Sequence, residues 1–319
     1  MAERGALSGH SIQYAGGLDL FAELRLRPRE TLTLLAGVNR IDTDREVVNL
    51  RNAAASDSKT YEQVSPKIGV LWEPSTRLQV FANASGVYEP PSFGQLTQGG
   101  FVTFVPIQAQ EGTSYEIGVR GDLGRVRYEF TYYDARLENE FISFQVSPLI
   151  PAATFNAPNT SHRGIEAGVA ATLAEDLFGG ALNGRAAWTW NDFVFDGDPV
   201  YGDNQLAGVP ENTLVAELSW SNERLRIAPS VFIQSDTVVD FRNTLRAPGF
   251  TLVNLSGSYA MSDTVSVFIE GRNLTDEAHV SMVSSIANAQ APGANLLVAT
   301  PGDGRAVYGG LRLRFGARP

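Results

Sequence analysis

Few side chains in this 319-residue chain stand at a spacing that acid–base, nucleophilic or metal chemistry would use. There is no cysteine, so a disulfide framework, a thiol nucleophile and a cysteine zinc site are excluded together. The histidines are His10, His162 and His279, and each falls in a predicted loop or loop border. None has the spacing of a nucleophilic triad or of a zinc site, and we read them as solvated loop residues. Asp196, Asp198 and Asp203 (DGDPVYGDNQ) carry the oxygen ligands a hard cation takes, but not in the order of a calcium loop. A solvated acidic loop accounts for them. Glu138 and Glu140 alternate to the same side of a predicted strand end, as a paired acid and base would, yet no pocket is specified for them. No catalytic residue, metal site or cofactor is assigned, and no enzymatic activity is expected.

The remaining chemistry is aromatic. Phe93, Phe101, Phe104, Phe141, Phe144, Phe155, Phe193, Phe195 and Tyr201 lie in long predicted loops, and loops on a rigid scaffold are where binding function concentrates. Phe93, Phe101, Phe104, Phe141, Phe144 and Tyr201 are the candidate ligand contacts. The same rings could instead pack loops against one another, since exposed apolar patches are unfavourable. A net charge of −10, with Lys59 and Lys67 the only lysines and the arginines scattered, gives no basic face for nucleic acid.

The elements that hold these loops are legible from period-two alternation. In Leu18 to Arg27, Leu18, Leu20, Ala22, Leu24 and Leu26 fall on one side and Asp19, Glu23, Arg25 and Arg27 on the other. Comparable segments at about 31–40, 63–72, 77–87, 114–122, 125–136, 163–173, 181–191, 212–220, 224–235, 250–260, 264–274 and 305–315 make thirteen predicted strands. Their connections alternate between short turns rich in Pro, Gly, Asn, Asp and Ser and long loops at about 41–62, 88–113, 137–162, 192–211, 236–249 and 275–304. Short turns on one rim and long loops on the other are what a transmembrane barrel requires. Trp72, Trp220, Tyr259 and Phe315 sit on the apolar side near short turns, and Trp188 and Trp190 near a long loop, as two interfacial girdles would. A β-propeller would need four short strands per repeat and a recurring motif, and neither is present. No apolar run is long enough for a transmembrane helix, and Met1 to His10 has no apolar signal-peptide core. The predicted class is therefore all-β, an antiparallel transmembrane β-barrel wall with lipid-facing Leu18, Leu20, Leu24, Leu26, Val126, Tyr128, Phe130, Trp188, Trp190, Leu218, Trp220, Leu311 and Leu313. Glu23, Arg25, Glu116, Arg120, Arg185, Glu217 and Glu270 are predicted to face the lumen.

Several segments resemble the barrel of TonB-dependent receptors. Asn273, Leu274, Thr275, Asp276 and Glu277, after Val265 to Arg272, resemble the family's penultimate-strand motif. Gly304 to Phe315 resembles its last strand with a terminal aromatic at Phe315, although Gly316 to Pro319 follow where the family usually stops. Ser65 to Val70 with Glu89 to Phe93, Glu111 to Gly121, Asn159 to Gly168 and Gly208 to Asn212 match further blocks in the family's order. The resemblance implies a barrel of about 22 strands filled by an N-terminal plug that carries a TonB box. Neither plug nor box is seen here, so residues 1–319 are expected to be the C-terminal strands of a barrel whose plug and first strands lie elsewhere. It also implies an outer-membrane location in a Gram-negative bacterium and active import of a scarce nutrient, such as a ferric siderophore, cobalamin or a glycan. The implied partners are the TonB complex, outer-membrane lipid and lipopolysaccharide, and the barrel-assembly machinery. A passive porin and an outer-membrane enzyme are the alternatives.

Overall fold

The computed structural model describes residues 7, 9–97, 104–144, 153–294, 296 and 298–315. Thirteen strands form one antiparallel sheet in which every strand pairs with the next one in the sheet. They are β1 (Ser11–Arg29), β2 (Leu32–Asn49), β3 (Asp57–Ser75), β4 (Leu78–Glu89), β5 (Gln110–Asp122), β6 (Val126–Phe144) and β7 (Ala153–Leu177), then β8 (Gly180–Phe195), β9 (Asn212–Ser221), β10 (Leu225–Gln234), β13 (Phe250–Ala260), β14 (Val265–Arg272) and β17 (Ala306–Leu313). The sheet is open, with β1 and β17 as its edges. Two small hairpins, β11 (Thr237–Val238) with β12 (Arg246–Ala247) and β15 (Val280–Val283) with β16 (Ala299–Pro301), lie in the long connections. So do a 3-10 turn at Ala53–Ala55 and the short helix α1 (Phe93–Leu96). No helix among the described residues is long and apolar enough to cross a membrane.

All thirteen predicted strands are present, but several run further towards the long loops than alternation suggests. β2 and β3 pair up to Val47 and Asp57, and β6 and β7 pair up to Phe144 and Ala153, so most of predicted loops 41–62 and 137–162 is strand. Alternation fails there because both faces are polar, as in Asp42 to Glu46, while the backbone ladder continues regardless of side-chain polarity. On the other rim, β7 and β8 close through Phe178 and Gly179, both at positive φ (54° and 75°), which is the two-residue turn whose twist matches the strands.

Register assigns the faces. Phe130 lies opposite Ala167, Ala167 opposite Trp188, and Trp188 opposite Leu214. Ile227 continues from Trp220, and Val267 pairs with Leu311. Every residue predicted to face lipid shares this apolar face, and its large side chains are exposed, as at Leu18, Phe130, Trp188 and Leu311, or half-buried, as at Tyr128, Trp190 and Trp220. On the opposite face Lys67 Nζ contacts Glu23 at 2.6 Å and Asn83 donates to Glu116 at 2.7 Å. Arg185 and Arg226 share Glu217, at 3.2 and 3.0 Å. Two ladders lapse beside a proline: β9 and β10 skip Ala228 and Pro229, and β3 and β4 pair only from Lys67–Ser85 down to Ser75–Leu78. Pro66 has no N–H to offer, and a Cβ on Gly86 would lie 3.2 Å from the Ser65 Cα.

Candidate functional site

Burial concentrates at the long-loop rim in three clusters. In the first, Val47 and Tyr61 from the upper ends of β2 and β3 pack against Leu96, Phe104 and Ile107 of the β4–β5 connection, flanked by Phe93 and Phe141. Arg45 lies over the Phe93 ring at 5.7 Å, and Tyr61 donates its hydroxyl to Ile107 O at 3.0 Å. The second cluster joins Ile142, Ala157, Phe195, Leu206 and Phe241, with Phe144, Phe155, Phe193 and Tyr201 against it. Tyr201 stacks on Phe195 at 4.9 Å and meets the edge of Phe241 at 5.6 Å. The third, Val239, Ala247, Ile286 and Val298, joins the β10–β13 and β14–β17 connections.

Five of the six candidate contacts thus divide between two platforms: Phe93, Phe104 and Phe141 in the first, Phe144 and Tyr201 in the second. Phe104 is buried and the other four are half-buried, so each packs a loop while four keep part of the ring accessible. Phe101 lies outside the described residues.

The hub between the second and third clusters is Asp240, which is 0% exposed and which sequence reasoning missed. Its carboxylate accepts from Thr244 N at 2.7 Å, Leu245 N at 2.8 Å, Thr244 Oγ1 at 2.8 Å and Ala289 N at 3.1 Å. Burial alone would raise its pKa, but these hydrogen bonds outweigh it and hold the carboxyl below the usual range. Asn243 adds a reciprocal clamp, accepting from Gln205 N at 2.8 Å and donating to Gln205 O at 2.9 Å. Ile286 N donates to Val239 O at 3.1 Å and Phe241 N to Ile286 O at 3.0 Å. Three connections are thereby joined as one body. The available signal was a lone Asp ahead of Asn and Thr in a loop (DFRNT), a pattern that favours side-chain-to-backbone turns.

The candidate motif residues build the turn that leaves β14. Asn273, at φ 46° and buried, accepts from Glu277 N at 2.8 Å and donates to Glu277 O at 2.9 Å and Asp303 O at 3.0 Å. Leu274 covers Gly271, where a Cβ would lie 2.7 Å from Leu274 Cδ2. Thr275 is exposed. Asp276 accepts from Arg305 N at 3.0 Å and pairs with its guanidinium at 3.2 Å; the backbone bond first, then the side-chain bond and charge of Arg305, lower its pKa. Phe315 is 88% exposed beyond the end of β17.

Two expectations need correction. His162 is not in a loop but inside β7, with Nε2 2.9 Å from Glu140 and its ring 4.3 Å from Phe193. Glu138 and Glu140 are not a simple alternating pair, because Asn139 between them takes φ 57°; Glu140 reaches His162 and the hydroxyl of Thr160. The acidic loop is structural: Asp198 accepts from Val200 N and Tyr201 N at 2.7 and 2.9 Å, and Asp203 from Gly197 N at 2.9 Å. Among the described residues no group of three or more His, Asp or Glu could hold a metal ion.

A single antiparallel meander with an apolar outside, a charged inside, tight turns on one rim and packed loops on the other defines the wall of an outer-membrane-type β-barrel. Residues 6–274 match the family described as TonB dependent receptor-like, beta-barrel, and the chain belongs to that family. It is 23% identical over 315 residues to the ferric-pyoverdine M114 receptor PbuA of Pseudomonas sp. (strain M114), covering 88% of this chain and 34% of that receptor. Among solved structures it resembles the ferric citrate transporter FecA in the unliganded form (TM-score 0.77, 16% identity, 96% of this chain and 46% of that one). It also resembles the siderophore receptor PiuA of Acinetobacter baumannii (TM-score 0.74, 16% identity, 94% of this chain and 43% of that one). The chain spans about a third of the curated relative and less than half of these structures.

Proposed function

We propose that this chain forms the C-terminal part of the barrel wall of a Gram-negative outer-membrane receptor that imports a scarce nutrient, with a ferric siderophore as the leading class. The observation that carries the reading is the two-faced sheet. Its exposed apolar face suits hydrocarbon, where every backbone group must be paired within the protein, and its charged face suits a filled lumen. The matched relative is a ferric-pyoverdine receptor, which supports an iron chelate as cargo. On this reading the complete barrel has about 22 strands and a plug through which TonB delivers energy. Lipid and lipopolysaccharide surround the apolar face, and the barrel-assembly machinery inserts it. Phe93, Phe104, Phe141, Phe144 and Tyr201 then contribute ligand contacts at the rim.

The test compares uptake of radiolabelled ferric chelates by cells with and without the gene, in backgrounds with and without TonB. We expect uptake of at least one chelate to need both. Uptake that persists without TonB and after collapse of the proton gradient would point instead to a passive channel.

A further inference from the structure

We propose that Arg242, held over Tyr201 at the long-loop rim, is a preformed fork for an oxyanion with two parallel oxygens, a carboxylate or a phosphate. The guanidinium carbon lies over the Tyr201 ring, 5.7 Å from its centre, a cation–π contact that uses none of its N–H donors. Arg242 is exposed, and among the described residues its guanidinium makes no hydrogen bond or ion pair. An arginine in that state offers parallel N–H donors that match a carboxylate or phosphate edge.

Its support is built on both sides. Below the ring, Tyr201 is fixed by Phe195, by Phe241 and by the bond from its own N–H to Asp198. On the arginine side, Asp240, Phe241 and Asn243 of the same turn are committed to the rim body, which leaves Arg242 as the residue the turn presents outward. Acids of the same connections have other partners: Asp198 and Asp203 accept backbone N–H groups, and Asp236 pairs with Arg246 at 2.7 Å. A fork held in place in this way loses little side-chain freedom on binding. Asp240 acts here as a positioning residue.

This rests on the receptor reading only for the direction from which the ligand arrives; binding itself needs neither transport nor TonB. The test titrates the full-length protein in detergent, at low ionic strength, with sodium citrate and separately with sodium phosphate, followed by calorimetry. Saturable binding of citrate is expected for a soluble carboxylate ligand, and preference for phosphate would assign the fork to a phosphate group such as a lipid headgroup carries. In either arm R242Q should weaken binding about tenfold or more, and R242K should fall between the two because an ammonium cannot present the fork. D240N should weaken binding only while Arg242 is present, so that D240N/R242Q binds no worse than R242Q. R242Q is expected to keep the far-ultraviolet circular dichroism of the unmodified protein. The proposal is overturned if neither anion binds saturably, or if R242Q binds as the unmodified protein does.

Discussion

Asn273 shows how one side chain can stand in for a strand edge. Its amide pairs with both backbone groups of Glu277 and also reaches Asp303, in a left-handed conformation that asparagine tolerates better than most residues. Asn273→Ala should lose these bonds and add backbone strain, destabilising the turn by about 1–3 kcal/mol. Thermal unfolding followed by circular dichroism would measure it, and an unchanged transition would contradict the role. Asp240 makes a pH-dependent contribution whose sign is set by its lowered pKa. A depressed folded pKa means that the stabilisation is complete above the unfolded value of about 4 and is lost as pH falls through the folded value. Amide exchange at Thr244, Leu245 and Ala289, corrected for intrinsic rate, should therefore stay slow from about pH 8 to 5 and quicken only below about pH 4. Loss of protection already between about pH 8 and 5 would show that another group controls the rim.

At the scale of elements, the thirteen strands and their faces were legible because a wall with one apolar and one polar side writes itself as alternation. Leu18 to Arg27 needed no further information. The upper halves of β2, β3, β6 and β7 were not legible, since above the apolar band neither face demands apolar residues. β11, β12, β15 and β16 were missed for a different reason: strands of two to four residues are too short for alternation to register. The rim site was half legible. Loop aromatics could be named, but their division into two platforms depends on which loops meet, and Asp240 carried no periodic signal. Close approach within the wall is testable at Gly164, where a Cβ would lie 2.3 Å from the Tyr133 ring and 2.7 Å from Trp190 O. Gly164→Leu should displace Tyr133, break its 2.8 Å bond to Asn191 and destabilise the sheet by about 1–3 kcal/mol. Unfolding in denaturant, followed by tryptophan fluorescence, would report this, and an unaltered midpoint would mean the strands can yield.

The whole molecule is a curtain with two free edges, β1 and β17. Produced by itself, this 319-residue chain should self-associate in detergent, because unpaired strand edges seek partners and leaving them in hydrocarbon costs several kcal/mol per group. Sedimentation of refolded protein, with gel mobility before and after heating, distinguishes this from a closed monomer; a single heat-modifiable monomeric species would contradict it. The interrupted β3–β4 ladder has a mechanical meaning. The β9–β10 ladder skips only Ala228 and Pro229 and resumes at Ser230, whereas the β3–β4 ladder does not resume above Lys67 and Ser85, where Gln63 reaches past β4 to Glu111 of β5. A wall pulled sideways parts first where its stitches are missing. Lateral tension in the surrounding membrane would therefore concentrate along Pro66 and Gly86, making that line the tear strip of the fabric.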